Sequence, residues 1–414
     1  MISSCSDDTM EVDTIDLDTM EVDTIDLDQI MEIEDELIAL ISNNENFEEN
    51  ILLVVDHDVI KGVKNNLGRL IQDINQQEQN VYLEIEINHS FSDLKQTIRG
   101  HYQNNRINGS IFIGDVPIPK ALIYDQFNNS KIGVSTQYYM DINGEFEFDE
   151  NNTIVNHYGD RPIELWVSVI PSYGLDSIAN INSYLDKNHG YRSGMMNIER
   201  GFVTSLIGAQ IEDEETYNSQ LEFLLNEVYL DLNQRGNLFI GIDNKLNDLD
   251  MFPNANWVYS SEMLSSKYDV AKIGAHGSAV SFGSFNEWGS IIIDVDYAQS
   301  NNITPMLLIE TSCNSAAIDQ HTNLACEFLF NPNNNVVTYS GATSAQGGQG
   351  ETSFGRASNF IAENLVEGVL LGESLLSPMY HPYVDGIFSD YRENFSAQQI
   401  VLGDGSLKLQ EFMK

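Results

Sequence analysis

A chain of 414 residues can bury a sizeable core and is long enough for one large domain or two to three smaller ones. Its composition, 42% hydrophobic and 10% aromatic, is that of a folded α/β protein, whereas a formal charge of −43 is unusual. Residues 1–50 hold 17 of the 63 acidic residues and none of the 20 basic ones, and the rest of the chain remains acidic by more than two to one. Such a surface repels phosphate backbones and offers no Lys/Arg cluster to displace counterions, so nucleic acid is not an expected partner. No run of about 18 apolar residues occurs, which leaves no membrane-spanning helix.

The chain opens on "ISSCSDD", the small-residue-then-Cys form of a bacterial lipoprotein processing site. On that reading Cys5 is lipidated, an apolar signal segment precedes it, and the protein sits outside the cell or on the bacterial surface, with the membrane reached only through the lipid. The alternative is a chance Ser-Ser-Cys in a cytoplasmic protein. Residues 8–17, "DTMEVDTIDL", recur letter for letter at 18–27. Two short copies so heavily charged cannot bury enough to offset ordering entropy, so 1–50 is expected to be an acidic flexible spacer.

From residue 51 the pattern becomes α/β. "ILLVVDH" (51–57), "NVYLEIEIN" (80–88) and "GSIFIGDVP" (109–117) read as strands, the first and third as continuous buried runs of parallel-sheet type. Between the last two, 90–103 reads as a helix capped by Ser90 or Ser92. The Asn-rich stretch 118–160 is expected to be loops with one small hairpin. A strand (163–173), a helix (175–191) and a strand at 200–208 follow. Further strands are expected at 237–242, 268–277, 304–313 and 335–344, with a long helix over 354–376. The implied fold class is α/β with mostly parallel sheets flanked by helices, in an N-terminal subdomain (51–199) and a catalytic subdomain (200–414).

Two expected strands end in chemically capable residues. "YDVAKIGAHGS" finishes on His276-Gly277 and "TPMLLIETSC" on Cys313, 37 positions later. In open α/β sheets reactive groups gather beyond the carboxyl ends of the strands. A thiol must become a thiolate to attack a carbonyl, and a neighbouring imidazole can take that proton near neutral pH. Backbone N–H groups of Gly277 and Cys313 would hold the oxyanion. Read singly, each has a plainer meaning: a Cys after an apolar strand is often a small core residue. Cys326, inside "LACEFLF", reads as core packing, and His321 as exposed. Three scattered cysteines suit neither a disulfide framework nor a closed zinc site.

"AKIGAHGS" followed by "LLIETSCNSA" resembles the His-Gly and Cys blocks of the gingipain-type cysteine peptidases, relatives of caspases, legumain, clostripain and separase. Three further blocks agree in order: "STQYYMDINGEF" (135–146) with "ELWVSVIPSY" (164–173), "VVTYSGATSAQGG" (336–348), and "VLGDGSLKL" (401–409). The resemblance spans about 51–410. It implies a caspase-like fold in two subdomains and endopeptidase chemistry on a protein or peptide through Cys313 and His276. It requires no cofactor and admits a structural calcium ion, although no spaced calcium loop is visible. Val167-Ser168 replaces the usual Gly-Arg before the apolar-Pro pair. Thr136 stands where gingipains carry the acidic residue lining their pocket for a basic side chain, and a neutral Thr cannot pair with Arg or Lys. Asp141 is the candidate substitute, Trp288 a candidate wall of the cleft, and Asp125 a candidate to orient the histidine. Two other functions compatible with this pattern are an inactive surface binding module and a transpeptidase or ligase using the same dyad.

Overall fold

The computed structural model describes residues 27–87, 89–124, 130–158, 163–196, 198–207, 238–243, 264–265, 268–273, 276–284, 291–310, 312–344, 361, 364–365, 367–376 and 399–409; at His276 it describes the backbone alone. Cys5, the repeat over 8–26, Asp125 and Trp288 lie outside the described residues. No described helix is long and apolar enough to cross a membrane.

The stretch expected to be spacer contains a docked helix, α1 (Leu27–Ile38). Ile30, Ile33 and Leu37 fall on one helical face and are buried. That apolar face outweighs the surrounding charge. It packs against α2 (His57–Gln76), where a Cβ at Gly68 would meet Leu40 at 2.8 Å, so the small residue lets the two elements close. Before α2 runs β1 (Glu49–Asp56), whose Ile51–Val55 are fully buried because helices cover both faces of a parallel sheet. Asp56 ends the strand and caps α2 through Asp58 N. Then come β2 (Gln79–Glu86), α3 (Phe91–Asn105) with Ser90 as its cap, and β3 (Gly109–Ile113), stopped by Gly114 at φ +93°.

Residues 118–160 are more ordered than loops and a hairpin. β4 (Lys120–Tyr124), β5 (Ser130–Val134), β6 (Glu145–Phe148) and β7 (Thr153–Tyr158) form a separate sheet in the order β5-β4-β7-β6, with the short α4 (Gln137–Met140) between β5 and β6. The Asn content marks the turns, as at Asn152 with φ +59°, while alternation in "EFEF" supplies a half-buried strand.

The chain continues through β8 (Trp166–Ile170), α5 (Ser177–Arg192), β9 (Glu199–Ile207), β10 (Leu238–Asp243) and β11 (Tyr268–Ile273). Next are β12 (His276–Gly277), β13 (Ser281–Ser284), β14 (Ile291–Asp294), α6 (Val295–Ser300), β15 (Leu307–Glu310) and α7 (Leu324–Phe330). β16 (Thr338–Ala342), α8 (Leu371–Leu376) and β17 (Gln399–Gly403) complete the described elements. The long helix expected over 354–376 is described only in part, and a turn at Gly368 (φ +77°) separates α8 from what precedes it. β12, β13 and β14 form a small antiparallel sheet.

The central sheet has ten strands in the order β10-β9-β11-β15-β16-β17-β8-β3-β1-β2. Every neighbouring pair is parallel except β16 and β17. The two halves of the sheet therefore run in opposite directions. β17, from the end of the chain, belongs to the half containing β1–β3, so the first half is completed by residues far beyond 199. It is held there by Asp404, which is fully buried and accepts from Arg192 (2.6 Å) and Asn188 (2.8 Å) of α5. The Arg192 charge and these hydrogen bonds hold the Asp404 carboxyl below its ordinary range despite burial.

Candidate active site

β11 and β15 are neighbours, paired in parallel with Ile273 opposite Glu310. His276 and Cys313 each lie three residues beyond that last matched pair, so both chains leave the sheet at the same level. Beyond the edge Gly277 packs closely against Ser312. A Cβ on Gly277 would lie 2.1 Å from Ser312 Oγ and 3.3 Å from the Cys313 carbonyl oxygen. Only glycine permits that approach, which brings the His-Gly corner against the Cys turn.

The turn is pinned on its other side by β16. Asn314, in the left-handed region at φ +56°, donates its N–H to Ser344 O (3.0 Å), and Ala316 N donates to Ala342 O (2.8 Å). Ser315 Oγ accepts from Ala342 N at 3.2 Å. The end of β5 closes over the same corner, with Thr343 Oγ1 donating to Val134 O at 2.7 Å. Leu324 N donates to Ala279 O at 2.8 Å and ties the segment after the His-Gly corner to the start of α7. Cys313 is buried, and Cys326 is free and buried on α7, where burial pushes its thiol up. Cys326 is core, as its apolar surroundings indicated, and His321 is exposed.

A residue the sequence did not single out sits beneath the turn. Glu310 ends β15, is 1% exposed, and accepts through Oε2 from Ser312 Oγ (2.6 Å) and Tyr339 OH (3.4 Å). Its Oε1 is buried with no hydrogen-bond partner among the described residues. Burial pushes the carboxyl up to about 7, with the hydrogen bonds from its neighbours acting the other way. The signal in the sequence was an acidic residue closing a run of buried aliphatics. Glu310 holds Ser312, and Ser312 touches Gly277, so the carboxyl supports the contact between the two ends of the candidate dyad.

Thr136 is fully buried, its hydroxyl directed at Met140 Sδ (3.9 Å). Asp141 is also fully buried and is committed to His157 Nε2 (2.6 Å) and the amide of Gly144 (2.6 Å). Neither presents a carboxylate to a cleft. Ser168, in place of the expected arginine neighbourhood, is buried and accepts from Gly405 N at 3.1 Å.

No protein-family model matches this chain, and no curated protein matches it. Among solved structures it is similar to the Arg-specific cysteine proteinase gingipain R (RGPB), with a TM-score of 0.59, 13% identity, and coverage of 88% of this chain and 79% of that one. A 5,10-methylenetetrahydrofolate dehydrogenase from the silkworm Bombyx mori (10% identity, 69% and 80% covered) has a TM-score of 0.21, too low to carry an argument. A leucine-binding protein LivK from Thermotoga maritima (8% identity, 84% and 86% covered), at 0.15, is no more informative. The chain has a caspase-like fold, with a mainly parallel central sheet flanked by helices.

Proposed function

We propose that this protein is a cysteine-type endopeptidase acting through Cys313 and His276. The observation that carries the reading is the matched exit of β11 and β15, which brings the His-Gly corner against the Cys turn. The imidazole takes the thiol proton, and the thiolate attacks the carbonyl carbon of the scissile peptide. Amide N–H groups of Gly277 and Cys313 receive the developing oxyanion. As the C–N bond breaks, His276 gives its proton to the leaving amine and a thioester remains on Cys313. Water, deprotonated by His276, then releases the acid product and the thiol. No cofactor is needed.

The substrate is a protein or peptide, and neither Thr136, which is neutral and buried, nor Asp141, which is already paired, offers a carboxylate to a basic residue before the cut. The protein works outside the cell or on a bacterial surface, with Cys5 as the lipid attachment point.

The test is cleavage of a mixed peptide library by reduced wild type and Cys313→Ala. Cleavage by the wild type alone, with Arg and Lys not favoured before the cut, is the expected result. No cleavage by either protein, together with iodoacetamide reacting at Cys313 no faster than at an ordinary thiol, would remove the assignment. An inactive binding module then becomes the better reading, and Cys313→Ala would leave the biological effect intact. Adding free amines to the assay separates hydrolysis from ligation, since only a ligase transfers the acyl group to them in preference to water.

A further inference from the structure

At the other end of the sheet lies a second cluster of chemically capable side chains. Because β17 runs antiparallel to β16, the carboxyl ends of β1, β2 and β3 point away from the edge that carries Cys313. The strand order β2-β1-β3 makes the connections on either side of β1 wind in opposite directions, and the segments after β1 and β3 meet there, with Asp115 N donating to Asp56 Oδ2 at 3.0 Å. Asp56, His57 and Asp58 follow β1 there, Gly114 and Asp115 follow β3, and Glu86 ends β2 directly opposite Asp56 in the register.

The side chains of Asp56, Glu86 and His57 are 5%, 5% and 7% exposed. One ligand atom from each lies within 4.8 Å of the other two. Two carboxylates buried side by side repel one another, and among the described residues no Lys or Arg pairs with either. Asp56 accepts from the backbone N–H groups of Asp58 (3.1 Å) and Asp115 (3.0 Å), and among the described residues the side-chain nitrogens that approach the pair are imidazole ones, His57 Nδ1 at 3.3 Å from Asp56 and His89 Nδ1 at 3.8 Å from Glu86. One Glu86 oxygen accepts from His89 N (2.5 Å); the other has no hydrogen-bond donor among the described residues.

The histidine narrows the choice. His57 Nδ1 is 3.1 Å from the Glu86 carbonyl oxygen, which can only accept, so Nδ1 carries the hydrogen. In the neutral ring Nε2 then presents its lone pair to Asp58 Oδ1 at 3.2 Å. Two lone pairs face each other unless a cation lies between them. A nitrogen and an oxygen held about 2.0–2.2 Å from one metal ion are about 3.3 Å apart at the tetrahedral angle. A ring N–H given to a backbone carbonyl is also the usual outer support of a metal-bound histidine.

We propose that Asp56, His57 and Glu86, with Asp58 at the rim, bind one divalent transition cation of the zinc or manganese kind. Imidazole with carboxylates selects such ions over calcium or magnesium, which prefer oxygen alone. The ion ties the end of β1, the end of β2 and the first turn of α2 together, so it acts on stability. The site is separate from the Cys313 edge.

Equilibrium dialysis and calorimetry with Zn2+ and Mn2+ test the proposal on the full-length chain carrying Cys313→Ala, which removes metal capture by the candidate thiol. One ion per chain is expected, with Ca2+ at least tenfold weaker and a rise of several degrees in the unfolding midpoint. Glu86→Gln and His57→Gln should each weaken binding at least tenfold while leaving the metal-free midpoint within a few degrees. If Glu86→Gln does not fold, His57→Gln decides alone. Binding that survives both substitutions, or no stoichiometric binding to the parent chain, overturns the assignment. In the latter case an imidazolium His57 donating Nε2–H to Asp58 occupies the place given to the ion.

Discussion

Replacing Glu310 by Gln tests the reading of the carboxyl beneath the Cys turn. Burial holds it at about 7 against an ordinary 4.5, so the folded state binds this proton more tightly than the unfolded chain. The stability gained is fully present below about 4.5 and is lost as the pH rises through about 7. That difference corresponds to about 3 kcal/mol. Gln cannot ionise and keeps an oxygen for Ser312, so the variant should match the wild type near pH 4.5 and exceed it by up to about 3 kcal/mol at pH 8. Urea denaturation at intervals from pH 4.5 to 8 reads this as a widening gap between the two midpoints. Burial lowers Lys187 to about 7 and Lys272 to about 8, so both add pH dependence at the upper end, but they are common to both proteins and cancel in the difference. Parallel curves for the two proteins would show that Glu310 is ionised without cost and refute the argument.

Gly277→Ala should reduce peptide cleavage by an order of magnitude or more while the fold persists, because the new methyl meets Ser312 and parts the His-Gly corner from the Cys turn; retained kcat/KM with intact circular dichroism would contradict this. Arg192→Ala leaves the Asp404 carboxylate buried and unpaired and should cost about 3–5 kcal/mol in denaturant unfolding, against a near-neutral outcome if β17 is not held by this pair. Cys326 should stay unlabelled by iodoacetamide until the protein unfolds, because its thiol is buried in the core on α7; labelling of Cys326 in the folded protein would contradict that placement. Peptides carrying Arg or Lys before the cut should not be favoured over neutral ones, as Thr136 offers no charge, and a strong preference for them would require a carboxylate from elsewhere.

Much of the architecture was legible because it depends on local pattern. The aliphatic run 51–55 can only be a strand covered on both faces, and Ser90 followed by Asp93 marks a helix start. The small sheet over 120–158 was hidden by its Asn-rich turns, and α1 by its charge, since only the Ile30, Ile33 and Leu37 spacing betrays the buried face. His276 and Cys313 were readable as strand-end residues.

What the sequence by itself determined is the set of groups available: a cysteine and a histidine closing apolar strands, a neutral Thr136, and an acidic, largely parallel α/β chain. Tertiary structure alone decided that β11 and β15 are neighbours, that Ile273 faces Glu310, and that Gly277 meets Ser312. It also decided that Glu310 is buried, that Asp141 is taken by His157, and that Asp56 and Glu86 share one strand-end register. Strand order and register join residues far apart in the chain, and local propensity carries no information about which distant strands will pair.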